Sequence, residues 1–420
     1  MTIDSFRNIK SKIWILVVIL TPLIFFFTPK VEQNQCIKEV KYKSHVLYIQ
    51  NCDNHSVITS AIDYENFLTS WENNPWRGRP LHIAVGTILA PLVSPVAILL
   101  NKFNEKLTIH NKKKFLKKYP FYLSYTLFNY VCIFMICLVV FNFLGSGLSS
   151  HEKTLIALIL SSVDIIQGWF WQSHSIFFNF VIPIISIKSF FIGYFFKVYQ
   201  KKQIILRIIL IGSGVLFYQM AIIWLPMFLI GYIFANLNQE KKEILKNILF
   251  FSILLCIPFV LWKCINKLIG FSYSHELEVY TGFYWFKDAI INNNLIEVKN
   301  KFLRLIFQTF PRSFGTQWII PISSIVFFLG FNFLNKNNDF IKKPFVFGCS
   351  LAVILQLVFI FIFSGSEFIR WVNPLLLIPT ILSIWFFKNY NREKMLYVLY
   401  ILATNQLVHA MINVPITNYS

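Results

Sequence analysis

The sequence predicts an all-α integral membrane protein, a polytopic bundle of about 11 transmembrane helices with two large outer loops, on three observations. Of 420 residues, 56% are hydrophobic and 14% charged, a ratio of about four to one where a soluble domain has about two to one. The apolar residues, 46 Phe among them, gather in runs such as 14–28 that would aggregate in water and that a bilayer requires. The 39 Lys and Arg exceed the 19 Asp and Glu, for a net charge of +20, and sit mainly in short linkers between those runs. That distribution is membrane topology and implies no nucleic-acid partner.

The elements follow in order. At about 20 apolar residues per crossing, the spans are 13–29, 121–145, 154–171, 175–196, 247–262, 317–334, 344–364, 371–387 and 395–412. The first follows Arg7, Lys10 and Lys12 and ends without a small-residue cleavage site, so it reads as an uncleaved helix. Residues 203–235 exceed one upright crossing and carry Gly212 and Gly214 near the middle, which favours a hairpin of two short helices over one tilted helix. Residues 82–101 are long enough to cross, but Gly86, Pro91 and Pro95 interrupt them.

Counting positive charge places the N-terminus and the linkers around Lys201, Lys242, Lys342 and Arg392 in the cytoplasm. The outer stretches are then 30–80, 264–316, the turn ending at Arg370, and the tail. The basic run Lys102–Lys118 also belongs inside by this rule, yet placing it there gives 119–172 the wrong number of crossings. Laying 82–101 along or partly into the outer leaflet restores the count and leaves that run outside. No linker or repeat divides the chain: 1–420 is one membrane domain, with 30–118 a first outer loop and its juxtamembrane segments, and 264–316 a second. Of seven cysteines, only Cys36 and Cys52 stand in a polar stretch, where a disulfide closing a hairpin between them is one expectation.

The first loop ends in SAIDYENFLTSWENNPWRGRPLH, where Asp63, Glu65, Glu72, Arg77, Arg79 and His82 stand among Tyr64, Trp71 and Trp76. Asp63 and Phe67 share one helix face, so a short amphipathic helix can hold an aromatic stripe on the membrane beside a carboxylate. An interfacial anchor with its Trp belt is the other reading. The D-Y-x-x-F setting of Asp63, followed by R-x-R-P-L at Arg77–Leu81, resembles the GT-C superfamily of polyprenyl-phosphate-sugar-dependent glycosyltransferases, of the dolichyl-phosphate-mannose mannosyltransferase kind. Residues 160–175 resemble the family's W-G-Q-x-D-S region, with Trp171 and Gln172 matching, Ser162 in place of its Pro and His174 in place of its Asp. Residues 212–234 resemble its G-x-x-x-x-x-K hairpin with Gln219 near the Lys, the loop 264–316 falls where these enzymes carry their second large loop, and 366–382 resembles the late R-Y-x-x-P segment, opened by Arg370.

The resemblance implies an inverting glycosyltransferase of a bacterial inner membrane. Its donor would be a polyprenyl-phosphate sugar and its acceptor a lipid-linked glycan or surface polysaccharide on the outer face. Such a donor has a good leaving group already, so the enzyme deprotonates an acceptor hydroxyl and stabilises the departing phosphate. Asp63 is the expected base. Arg370 and Arg77 or Arg79 are the expected phosphate ligands, because a guanidinium fork matches phosphate oxygens. Glu65, Gln172, His174 and Asp164 are candidates for positioning donor or acceptor. Asp164, a carboxylate deep in an apolar run, serves equally as one half of a structural pair with Lys188. His275, Glu276, Glu278 and Asp288 lack metal-ligand spacing, so no metal or cofactor is expected, with a divalent cation left open. The competing functions are an O-antigen polymerase or ligase, a lipid-linked oligosaccharide flippase, and an acyltransferase using His82.

Overall fold

The computed structural model describes residues 12–27, 44–45, 48–49, 52–69, 77–104, 112–145, 147–163, 166, 170–173, 175–178, 181–182, 184, 201–218, 229, 233, 240–270, 285–304, 307, 355, 358, 361–362, 377, 380–381, 384–385, 387–388 and 392–412. They are overwhelmingly helical. The helices used below are α1 Ile13–Phe27, α2 Cys52–Ile62, α3 Tyr64–Thr69, α4 Pro80–Asn104, α5 Lys112–Leu144, α6 Ser150–Ser161, α7 Lys201–Phe217, α8 Lys241–Leu268, α9 Leu295–Arg304 and α10 Arg392–Ile412. Among the described residues, Pro80–Lys102, Lys117–Leu144 and Lys241–Leu268 are long and apolar enough to cross a membrane, and Ile13–Phe26 and Ile208–Phe217 are shorter apolar helices. The structure is thus that of a helical protein with three helices, among the described residues, long and apolar enough to cross a membrane. The expected spans 317–334, 344–364 and 371–387 lie largely or wholly outside the described residues, as does the disulfide at Cys36. A two-residue antiparallel pairing, Ser44 with Ile49 and His45 with Tyr48, does form within the stretch between the two cysteines.

Two expectations are corrected. Residues 82–101 are not interrupted: α4 runs unbroken through Gly86, Pro91 and Pro95. Each proline removes one backbone donor, and the Ser94 hydroxyl returns a bond to the Ala90 carbonyl. Gly86 serves close packing, since a Cβ there would stand 2.8 Å from both the Ala61 Cβ and the Tyr125 hydroxyl. Over 203–235, α7 continues through Gly212 and Gly214 and ends at Phe217, with Tyr218 outside the helix; the second half of the expected hairpin lies largely outside the described residues. A Cβ on Gly212 would run into the Leu255 carbonyl, so that glycine lets α7 and α8 approach. The span expected at 154–171 is a helix only to Ser161. There the Ser161 and Ser162 hydroxyls bond back to the Ala157 and Leu158 carbonyls, a competition that favours a helix end.

Side-chain contacts order the helices end to end. Trp14 packs on Phe141 and Phe134, and the Tyr130 hydroxyl donates to the Ile19 carbonyl, so α1 and α5 are antiparallel. At the C-terminal end of α5, Lys388 donates to the Leu144 carbonyl and Arg392 meets Glu152, bringing the starts of α6 and α10 together there. This is the Arg392 end. At the other end, the Trp171 indole donates to the Pro22 carbonyl and the C-termini of α7 and α8 arrive side by side. This is the Arg79 end.

Among the described residues two large apolar clusters divide the interior, and a third, of Ile208, Phe251, Leu254 and Leu255, joins α7 to α8. The larger joins α1, the C-terminal half of α5, α6 and the 163–184 stretch with Met395, Leu399 and Leu402 of α10. The smaller lies at the Arg79 end, where Val57, Ile58 and Ala61 of α2 and Phe67 of α3 pack on Ile83, Val93 and Ala97 of α4 and on Tyr119, Tyr122 and Tyr125 of α5. The first loop is therefore a folded cap on the α4–α5 hairpin. Phe128 and Phe217 pack against both clusters.

Candidate functional site

The turn before α4 carries Arg77, Arg79 and His82 into the seam between cap and bundle. Arg77 is 1% exposed. Its Nε donates to Asn266 Oδ1 at 3.1 Å, and Nη1 and Nη2 donate to the Phe67 and Leu68 carbonyls at the end of α3. Its own carbonyl accepts from the Trp262 indole at 2.8 Å. Burial lowers the guanidinium pKa from its ordinary value. One side chain thus ties α3, α4 and α8 together, which is the geometry of a clamp.

Arg79 is half-buried. Its Nη1 donates to the Ser175 hydroxyl at 2.7 Å, and its guanidinium carbon lies 5.0 Å from the centre of the Tyr218 ring at the end of α7. Fully buried His82 donates from Nε2 to the Ser173 carbonyl at 2.7 Å. That carbonyl can only accept, so Nε2 carries the proton and Nδ1 presents a lone pair. Nδ1 has no hydrogen-bond partner among the described residues. The Tyr125 hydroxyl donates to the carbonyl of His82 at 3.1 Å, and their rings pack at 4.9 Å.

The facing stretch is held from below. Buried Asn129 on α5 donates to the Phe170 carbonyl at 2.7 Å and reaches that of Gln172 at 3.4 Å. Trp171, anchored on Pro22, packs against Phe26, Tyr130 and Phe170. Gln172 is itself buried at the seam. The Trp171–Gln172 pair thus belongs to the wall that presents Ser173 and Ser175 to Arg79 and His82.

Asp63 lies between α2 and α3 and is exposed. Its Oδ1 accepts from the Asn66 backbone N–H at 3.3 Å and its carbonyl from that of Phe67. It caps α3 at the helix end opposite the Arg77 clamp. Glu65 is exposed in the first turn of α3. Tyr64 bridges from α3 to the Pro80 carbonyl at 3.2 Å and stacks on Phe67, so the aromatic stripe expected on the membrane is instead turned inward, with Phe67 buried in the cluster shared with α4 and α5. Asp164, His174 and Arg370 lie outside the described residues. Among the described residues no group of three or more His, Cys, Asp or Glu could hold a metal ion.

Of the two loop arginines, Arg77 is buried and ties three helices together, while Arg79 is half-buried against Ser175 and Tyr218. The sequence reading did not single out Asn129, Asn266, Ser173, Ser175 or Tyr218. Each amide shares its helix with a second Asn, Asn142 in α5 and Asn247 in α8, so residue type alone did not mark it. The serines had no signal beyond their place in the 160–175 motif. No protein-family model, curated protein or solved structure matches this chain.

Proposed function

We propose that this chain is a membrane glycosyltransferase of GT-C type that moves a sugar from a polyprenyl-phosphate donor to a glycan or lipid acceptor, with the Arg79 end as its active end. One observation carries the reading. The two stretches on which the family resemblance chiefly rests, 77–82 and 171–175, close on each other through Arg79 with Ser175 and His82 with Ser173, across sequence separations of 96 and 91 residues. Asp63 belongs to the cap that packs on α4 and α5, exposed at the end of α3 away from Arg77.

In this reading the Asp63 carboxylate takes the proton of the acceptor hydroxyl. The oxygen attacks the anomeric carbon, and the bond from that carbon to the phosphate oxygen breaks with inversion. The electron pair leaves with the phosphate, whose charge Arg79 and Arg370 stabilise. Gln172, His174, Asp164 and Glu65 shape the donor and acceptor positions. The Arg79 end faces outward, because Lys12, Lys201, Lys202, Lys241, Lys242, Lys388 and Arg392 belong to segments that meet at or start from the opposite end. The N-terminus is then cytoplasmic, in a bacterial inner membrane crossed by about 11 helices, and 264–316 is the second outer loop.

The test exploits the cap. Asparagine caps a helix as well as aspartate does, so Asp63→Asn is expected to fold normally and to lose about 10²- to 10⁴-fold in transfer rate, assayed in proteoliposomes against a panel of short-chain polyprenyl-phosphate sugars. Glu65→Gln is the control. Full activity in Asp63→Asn, or equal losses in both, would remove Asp63 as the base.

A further inference from the structure

The proposed reaction makes no use of His82, although the fold fixes that side chain from several sides. Its Nε2 donates to the Ser173 carbonyl at 2.7 Å. The Tyr125 hydroxyl donates to the His82 carbonyl at 3.1 Å, and the Tyr125 ring packs on the imidazole at 4.9 Å between centres. Gly86, one turn on, makes room for this approach, since a Cβ there would stand 2.8 Å from the Tyr125 hydroxyl. The position and the tautomer of the imidazole are therefore set before any ligand arrives.

What is set is an acceptor. The ring spends its proton on a carbonyl, so Nδ1 keeps a lone pair, and it lies buried with no hydrogen-bond partner among the described residues. Leaving a buried acceptor unmade costs the desolvation of that group, which is why buried polar atoms are nearly always paired. The bond to Ser173 does not account for it: a glutamine would make the same N–H to carbonyl contact and leave no ring nitrogen over. An incoming donor does account for it.

Arg79 says what kind of donor fits. The Ile83 N–H bonds to the Arg79 carbonyl, so Arg79 already belongs to the first turn of α4 and shares a face with His82, three residues on. Both side chains reach the same facing stretch, Arg79 at the Ser175 hydroxyl and His82 at the Ser173 carbonyl. Arg79 is half-buried and His82 fully buried, so a ligand meets the cation first and the imidazole deeper in. A guanidinium at this range repels an ammonium donor and leaves a neutral O–H unaffected. The pair fits a molecule that carries an anionic group and a hydroxyl a few bonds apart, which a sugar phosphate has and a bare phosphate lacks.

We infer that His82 Nδ1 is a sugar-recognition point: it accepts a hydrogen bond from a hydroxyl of the sugar whose phosphate Arg79 binds. The inference rests on the reading of the chain as a polyprenyl-phosphate-sugar transferase and adds to it a residue that reads the sugar itself.

The full-length protein in detergent, carrying isotope-labelled histidine, tests the contact by nitrogen NMR, with the His82 signals identified by their loss in His82→Gln. A short-chain polyprenyl-phosphate sugar should move the Nδ1 signal from that of an unbonded ring nitrogen to that of a hydrogen-bonded one, and the same polyprenyl phosphate without its sugar should not. An Nδ1 already bonded in the ligand-free protein, or moved equally by the bare phosphate, overturns the inference. Affinity gives a second measure. Wild type should bind one monodeoxy form of its donor about threefold to tenfold more weakly than the parent sugar, the worth of a neutral hydrogen bond. His82→Gln, whose amide N–H still reaches the Ser173 carbonyl, should bind the two alike; if it discriminates as wild type does, the sugar is read elsewhere and the inference falls. Wild type that binds a donor with Nδ1 unmoved removes the His82 contact and leaves the transferase reading in place, whereas wild type that binds no member of the donor panel removes both.

Discussion

The two ends of the bundle are fastened by different chemistry. At the Arg392 end an ion pair is added to main-chain contacts: Arg392 grips both carboxylate oxygens of Glu152 at 3.0 Å, Glu152 closes a capping box with Ser149, and Arg392 and Lys388 also donate to the Gly147 and Leu144 carbonyls. At the Arg79 end, the fasteners are side-chain donors laid on main-chain carbonyls: Arg77 on Phe67 and Leu68, His82 on Ser173, Tyr125 on His82, Asn129 on Phe170 and Trp262 on Arg77. An ion pair spends its charge on the fold, whereas a cation held by carbonyls keeps its net charge and can still face an anion.

The comparison breaks most readily at Arg77. Truncation to Ala would leave Asn266 and two carbonyls without their buried donor, so Arg77→Ala should destabilise the protein by about 3 kcal/mol or more, read as a thermal shift in detergent. Arg79→Ala, which removes a half-buried contact, should fold and be the smaller loss. If the order is reversed, the division between clamp and ligand-facing arginine is wrong.

Packing between the ends is tested at the glycines of α7. Gly212→Ala puts a methyl on the Leu255 carbonyl and should cost roughly 1 to 3 kcal/mol. Gly214→Ala meets only the Ile182 side chain, at 3.1 Å, and the helical preference for Ala over Gly of about 1 kcal/mol should leave it near neutral. Equal losses at the two sites would mean that α7 and α8 are less closely packed than the structure has them.

The ion pair should show itself in pH. Burial alone would raise the Glu152 carboxyl, but the hydrogen bonds from Arg392 and Ser149 outweigh it and hold the pKa below its usual 4.5. A depressed carboxyl contributes stability that is present above its unfolded pKa and lost as pH falls through the folded one. Thermal stability of the wild type should therefore drop more steeply than that of Glu152→Gln below about pH 4.5; parallel curves would mean that the pair does not fasten that end. The smallest effect belongs to the α3 cap: Asp63→Ala should lose about 1 kcal/mol where Asp63→Asn loses almost nothing.

Hydropathy and charge spacing were enough to read α1, the crossing half of α5, α8 and α10, because partition into a bilayer depends on residue type summed over about 20 positions. The same arithmetic made the first loop a place of chemistry and put Arg79 among its candidates. What only the tertiary structure decided was the seam itself. Acceptors there are mostly backbone carbonyls, which every residue owns and no residue type announces, so the partnerships of His82, Asn129 and Arg77 have no sequence signature. The glycines and prolines of α4 and α7 read as breaks when taken alone. They turned out to lie within continuous helices because their effect depends on what packs against them: Tyr125 and Ala61 fill the space beside Gly86, and the Leu255 carbonyl closes on Gly212.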